Sequence, residues 1–200
     1  VVISAASDVS TISSIHQAGQ TGVQVGKWKF DVANETITLN KIRFQLRDDS
    51  FVDDTGAGNF AGFKLYNANG TFIASGNYES GSGAGYVEFD GISYSLSANE
   101  ITYLVLKADI SGSGDLDSRS INMFVVRSDS STDMEIFAST GGTLTTSQID
   151  ATSGDNTTNS RFATSTEYLY HDAAPSIAAV DFGGTINQST QAQIFRFTVS

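Results

Sequence analysis

The stretch Gly26-Lys27-Trp28-Lys29-Phe30-Asp31-Val32 decides the fold. Trp28, Phe30 and Val32 alternate with Lys27, Lys29 and Asp31. Successive side chains of an extended strand point to opposite faces, so this is a half-buried strand with one dry face and one wet face. Upstream, Val23 and Val25 alternate as well, but carrying their parity forward would bury Lys27. The parity must flip near Gly26, and a glycine at a parity flip marks a β-bulge.

The next run behaves in the same way. Ile37 and Leu39 share one parity, while Ile42, Phe44 and Leu46 share the other, so Asn40-Lys41 is a second bulge. Bulges in two neighbouring strands are expected to twist one sheet over the core. Asp48 to Gly62 reads as an Asp- and Gly-rich loop, followed by a strand around Phe63 and Leu65. Asn67-Ala68-Asn69-Gly70 closes a hairpin through its Asn-Gly pair, both residues tolerating positive φ, and Thr71 to Ser75 returns. Further strands are expected near 86–89, 92–96, 121–126, 134–137 and 144–149. Ile101 to Ile110 is apolar on both parities in its middle, as in a central strand covered on both faces. No window of a dozen residues keeps apolar positions at helical spacing, although Ser165 to His171 could form one turn. Roughly ten strand-like runs at short spacing predict an all-β, antiparallel β-sandwich.

Apolar residues make up 40% of the 200-residue chain, enough to fill a core, and 13 Phe, 7 Tyr and one Trp supply its bulk. The net charge is −11, yet only 16% of residues are charged, so the acidity comes from scarce Lys and Arg. A polyanion would be repelled and no basic stripe is expected to offset that, so nucleic acid is not an expected partner. Anionic membrane surfaces are disfavoured for the same reason, and no apolar run approaches the ~20 residues of a membrane span. There is no cysteine, hence no disulfide framework and no thiolate metal site. Richness in Ser, Thr, Asn and Gly with few Lys suggests an exported, extracellular protein of a bacterial or archaeal cell surface. Both ends are strand-like and look cut from a longer polypeptide.

The chain resembles itself. Trp28-Lys29-Phe30-Asp31-Val32 matches Phe195-Arg196-Phe197-Thr198-Val199 at an offset of 167, and Ile177-Ala178-Ala179-Val180 resembles Ile3-Ser4-Ala5-Ala6. A period this long means tandem whole domains. The only proline, Pro175, falls between the copies. The expected division is a β-sandwich over 1–171, a linker at 172–176, and over 177–200 the first strands of a second, incomplete repeat. A strand donated to a neighbouring subunit is the other reading of that last segment.

The order of Lys29-Phe30, Glu35-Thr36-Ile37-Thr38-Leu39-Asn40-Lys41-Ile42 and Leu104-Val105-Leu106-Lys107-Ala108-Asp109-Ile110 resembles Ig-like β-sandwich repeats of large bacterial cell-surface and S-layer-type proteins. The resemblance covers about residues 10–126. It implies a Greek-key sandwich and a structural, adhesive or lattice-forming role, with neighbouring copies as partners.

Chemistry-bearing clusters are few. Asp48, Asp49, Asp53 and Asp54 share a loop with Gly56 and Gly58, and calcium takes 6–8 oxygen ligands in flexible geometry, so this loop is the candidate calcium site. Asp109 with Asp115 and Asp117, and Asp129 with Asp133, read as acidic, solvated turns. His16 and His171 belong to no metal or catalytic motif, and no G-x-S-x-G elbow or phosphate loop is present. A non-catalytic module is therefore expected. Tyr66, Tyr78, Tyr86 and Tyr94 could form a sugar-stacking platform, though cross-strand pairing is the plainer reading. Asn34, Asn69, Asn156 and Asn187 open N-x-S/T sequons. The leading expectation is a structural repeat of a surface layer, filament or stalk. An adhesin or carbohydrate-binding module is the alternative, and an accessory domain of a secreted enzyme the third.

Overall fold

The computed structural model describes residues 1–5, 15–47, 60–79, 86–110, 121–127, 133–145, 148–151, 162–164, 168–171, 177–179 and 197–199. These residues form an all-β structure of two main sheets packed over one apolar core, as the alternation predicts. Seventeen strands are described: β1 (Val2–Ala5), β2 (Ile15–Gln17), β3 (Val23–Val32), β4 (Ile37–Arg47), β5 (Phe60–Asn67), β6 (Phe72–Ser75), β7 (Asn77–Glu79), β8 (Tyr86–Phe89), β9 (Tyr94–Leu96), β10 (Glu100–Ile110), β11 (Ile121–Arg127), β12 (Met134–Phe137), β13 (Asp150–Ala151), β14 (Phe162–Thr164), β15 (Tyr168–His171), β16 (Ile177–Ala179) and β17 (Phe197–Val199). Many are two to four residues long, and such strands are too short to show alternation, which is why sequence reading finds fewer.

The first sheet has the order β13-β1-β3-β10-β5-β6. The second follows β2-β15-β11-β4-β8-β7, with β12 and β9 also on β4 and β14 on β11. Pairing is antiparallel except for β1 with β13 and β2 with β15, one parallel pair at an edge of each sheet. The long strands β10 and β4 are the spines. β10 is central, as its doubly apolar middle requires, with Leu104, Val105 and Leu106 all buried.

Both parity flips are bulges. In β3 the register with β10 jumps from Leu106↔Gly26 to Lys107↔Gln24, leaving Val25 as the extra residue, buried together with Trp28, Phe30 and Val32. In β4 the register with β12 jumps from Lys41↔Glu135 to Leu39↔Ile136, leaving Asn40 unpaired on that edge. On the other edge, the Asn40 carbonyl accepts from Ile92 N at 2.9 Å. The two bulged strands are not neighbours, however. β3 and β4 lie in opposite sheets, so the bulges bend the two walls of the sandwich separately.

The sheets meet through aromatic rings. Trp28 on β3 stacks on Phe44 of β4 at 4.6 Å between centroids, tilted by 41°. Phe44 meets Phe89 of β8 edge to face at 5.7 Å. All three are fully buried. The chain passes from β6 in one sheet to β7 in the other at Gly76, whose N donates to Phe63 O at 2.9 Å. The Phe89 ring fills the space a Cβ at Gly76 would need, at 2.6 Å, so the crossover is tight because it is glycine.

Four local expectations are corrected. The loop expected to run to Gly62 gives way to strand at Phe60, because Phe60 is buried and Gly62, at φ 58, absorbs a bulge against β10. The Asn-Gly hairpin uses positive φ only at Gly70 (φ 81), with Gly70 N on Asn67 O and Asn67 N on Thr71 O, both at 3.0 Å. That is a type I turn closed by a glycine bulge. The turn expected at 165–171 is strand β15 over Tyr168–His171. Of the strand expected at 144–149, the described residues 144, 145, 148 and 149 are not in strand: Gln148 N donates to Thr145 O, and the Gln148 Oε1 accepts from Thr145 N at 2.9 Å.

At the C-terminal side, β16 and β17 form a separate two-stranded antiparallel sheet, with Ile177 opposite Val199 and Ala179 opposite Phe197.

Candidate functional site

The outer face of the six-stranded sheet gathers residues that are scattered along the chain. With Trp28, Phe30, Leu104, Leu106, Phe63 and Leu65 directed into the core, the intervening positions of β3, β10 and β5 face outward. Register then sets Lys29 beside Tyr103, Lys27 beside Val105, Val105 beside Tyr66, and Lys107 beside Lys64. Four of the five lysines in the chain, Lys27, Lys29, Lys64 and Lys107, share this face. Among the described side chains of β3, β10 and β5, Asp31 and Asp109 stand against them, an excess of two positive charges in a chain of net charge −11. A basic stripe thus exists, contrary to the sequence reading. It is assembled by strand pairing across 80 residues of chain (27 to 107) and leaves no run of basic residues to see.

Aromatic and aliphatic side chains fill the spaces between the lysines. The Lys27 ammonium stands 4.9 Å from the centroid of the Tyr103 ring, and that of Lys107 stands 4.9 Å from Tyr66. Tyr66 meets Phe72 of β6 edge to face at 5.8 Å. Lys29 Nζ lies 3.2 Å from the Asp31 carboxylate. Asp109 is tied to the sheet's end, its Oδ1 accepting from Gly22 N at 2.7 Å. The large apolar side chains most exposed among the described residues are Val2, Ile101 and Phe72, at 40, 51 and 52%. Register places Val2 opposite Asp31, Ile101 opposite Asp31 and Phe72 opposite Tyr66, so all three belong to this same outer face.

The outer face of the nine-stranded sheet is different. Arg43 on β4 donates from Nε to Glu88 Oε2 at 2.6 Å, and its Nη1 lies 3.5 Å from Asp133. The guanidinium covers the Tyr86 ring at 4.1 Å. Lys41 bridges Glu88 and Asp90, each at 3.5 Å, and Asn40 Nδ2 donates to Glu135. Burial alone would lower the Arg43 pKa, but the hydrogen bond and charge of Glu88, with Tyr86 and Asp133, outweigh it, and the pKa is raised. Asp133 is only 6% exposed, so the acidic, solvated turn expected there is instead a buried partner of arginine. With Glu79 on β7, the described side chains of this region bring five acids against two bases.

The tyrosine platform is divided. Tyr66 lies on the six-stranded sheet, Tyr86 lies beneath Arg43, and Tyr78 and Tyr94 pack against the core. His16 and His171 come from strands that pair side by side, His16 opposite Tyr170 and His171 opposite Gln17. Asn34 is exposed in the β3–β4 turn at φ 75 and lines a groove with Glu35, Ile37 and Leu144, while Asn69 is exposed at the β5–β6 turn. Asp48, Asp49, Asp53, Asp54, Asp115, Asp117, Asp129, Asn156 and Asn187 lie outside the described residues. Among the described residues, no three His, Asp or Glu side chains form a group able to hold a metal, and no helix is long and apolar enough to cross a membrane.

No protein-family model and no curated protein matches the chain. Among solved structures it is similar to a family 123 glycoside hydrolase from Clostridium perfringens, studied for glycolipid glycan hydrolysis. The TM-score is 0.33 at 10% identity over 80% of this chain, which spans about a fifth (22%) of that enzyme.

Proposed function

We propose that this chain is a non-catalytic structural repeat of an extracellular surface-layer, filament or stalk protein, an Ig-like sandwich followed by the opening strands of the next copy. The observation that carries this reading is a pairing that recurs. In the first copy β1 pairs antiparallel with β3, Ile3 opposite Phe30. In the C-terminal segment β16 pairs antiparallel with β17, Ala179 opposite Phe197. Phe197 is the residue that the 167-residue offset sets on Phe30. The pairing match adds to the sequence match, because two amphipathic strands that match by chance need not find each other. The upstream match shifts by two residues between the copies, which preserves which side chains face inward.

The remaining support is architectural. The facing sheets are filled by Trp28, Phe44, Phe89 and their neighbours, and both outer faces are laced with charge. A rigid brick joined to like bricks uses such features directly.

The test is a chain ended at His171. If 172–200 belong to a second unit, the shortened protein keeps the melting temperature and circular dichroism spectrum of the full chain. Loss of cooperative melting on removal of 172–200 would assign those residues to the sandwich and end the tandem-repeat reading.

A further inference from the structure

We infer that the outer face of the six-stranded sheet docks onto the acidic outer face of the nine-stranded sheet in a second copy of this chain, head to tail. This deepens the structural-repeat reading and rests on it. Three observations lead there.

The first is charge. Among the described side chains, the face formed by β3, β10 and β5 has an excess of two positive charges, whereas the region around Arg43 has five acids to two bases. Opposite potentials on opposite walls of one molecule suit a contact in which each copy uses a different wall. Such heterologous contacts leave a free wall at each end of a dimer, so they add further copies, into a ring where the rotation closes and into a filament where it does not.

The second is an unfavourable local choice. Lys64 and Lys107 stand directly opposite each other on adjacent strands. Like charges at such a position destabilise a sheet. A cost kept in an acidic protein, where acidic residues are the commoner choice, indicates an acidic surface to be met from outside.

The third is the apolar content, which separates a protein partner from a glycan. Val2, Ile101 and Phe72 are exposed on this same face. Two of the three described rings on this face, Tyr66 and Tyr103, are covered by the Lys107 and Lys27 ammonium groups, which leaves Phe72 as the one described open ring and no pair of rings for a sugar to stack on. Exposed apolar groups that share a face with four lysines match a protein surface that mixes acidic and less polar side chains.

Sedimentation equilibrium of the full chain tests this. At about 50 mM salt the weight-average mass should rise with protein concentration beyond a dimer, and at roughly 0.5 M salt the rise should shrink, since exposed charges are then screened. Lys27→Glu with Lys107→Glu should weaken association about tenfold or more. Glu79→Lys with Glu135→Lys should do the same from the other wall. Mixed, the two reversed proteins should form a heterocomplex, because one still presents an intact basic face and the other an intact acidic one. Lys64→Glu, at an exposed position, repeats the first arm should the double substitution fail to fold.

A wild-type chain that stays monomeric at low salt overturns the docking assignment. So do reversed variants that associate as before, or a mixture that does not combine. Binding of heparin, an anionic glycan, by the basic face with no self-association overturns it in favour of a polysaccharide partner. None of these outcomes touches the melting of the chain ended at His171, so failure here and failure of the tandem-repeat reading remain distinct.

Discussion

The indole of Trp28 lies over the Cα of Gly26, two residues back on the same strand, so closely that a methyl group at position 26 would occupy the ring's own space. Gly26 has no positive φ, so its backbone would accept alanine. Its side chain is absent because the bulge at Val25 turns Gly26 inward beneath the ring that bridges to Phe44.

Gly26→Ala should therefore destabilise by about 1–3 kcal/mol, the cost of forcing extra volume into a packed core. Trp28 is the single tryptophan and is fully buried, so its fluorescence reports the displacement directly. The expected result is a lower melting temperature with red-shifted native emission. Gly142→Ala is the control. It has open space and no positive φ, so its effect should stay within about 0.5 kcal/mol. Equal stability of the two variants would show that Trp28 does not depend on Gly26.

The hairpin after β5 gives a second prediction, one of conformation rather than volume. Gly70 sits at φ 81 with nothing near its absent side chain. Gly70→Ala should cost about 1–2 kcal/mol through the left-handed backbone alone, and Gly70→Asn less, since asparagine tolerates that region. Asn67 Oδ1 accepts from Asn69 N at 3.0 Å and Thr71 N at 2.9 Å, in an exposed turn. Asn67→Ala should cost about 0.5–1.5 kcal/mol. Urea unfolding of the three variants checks the order, Ala above Asn at position 70.

Local alternation made the two bulges and the central strand β10 legible, because side-chain direction at i and i+2 follows from the backbone of a single strand. Partner choice was not legible. Nothing near Val25 or Asn40 says that their strands lie in opposite sheets, since that follows from where the intervening turn sends the chain. The same limit hid the candidate site. Lys27, Lys64 and Lys107 are neighbours only through register, and Asp133 looks solvated until β12 is laid beside Arg43. The tyrosines failed for the opposite reason, being similar in sequence but divided between two sheets and the core.

The acidic loop leads to a third prediction. Asp48, Asp49, Asp53 and Asp54 stand between β4 and β5, and four carboxylates within seven positions can supply most of a calcium shell. A ligand that binds the native state alone stabilises it, so melting in millimolar calcium should occur at higher temperature than in chelator. Asp49→Asn with Asp53→Asn should remove the difference while leaving the chelated protein unchanged. Identical melting with and without the ion would remove calcium from the description of this chain.

Arg43 gives the fourth prediction. Its guanidinium is held between Glu88 at 2.6 Å, Asp133 at 3.5 Å and the Tyr86 ring, with the Arg43 and Asp133 side chains 17% and 9% exposed. Such a position lies between an exposed pair, worth little, and a buried one, whose rupture costs several kcal/mol. Arg43→Met should thus destabilise by about 2 kcal/mol, chiefly by leaving Asp133 without its cation. Arg43→Lys should recover only part of this, because an ammonium cannot reproduce the fork that reaches both carboxylates. The pH dependence has a definite sign. The pKa of this basic group is raised in the folded protein, so its stabilisation is present below its ordinary, strongly basic range and is lost only as pH climbs past the raised value. The stability gap between wild type and Arg43→Met should therefore stay flat from about pH 7 to about pH 10 in parallel denaturant titrations. A gap that closes over that range would mean that Arg43 is not what holds Asp133 and Glu88 together.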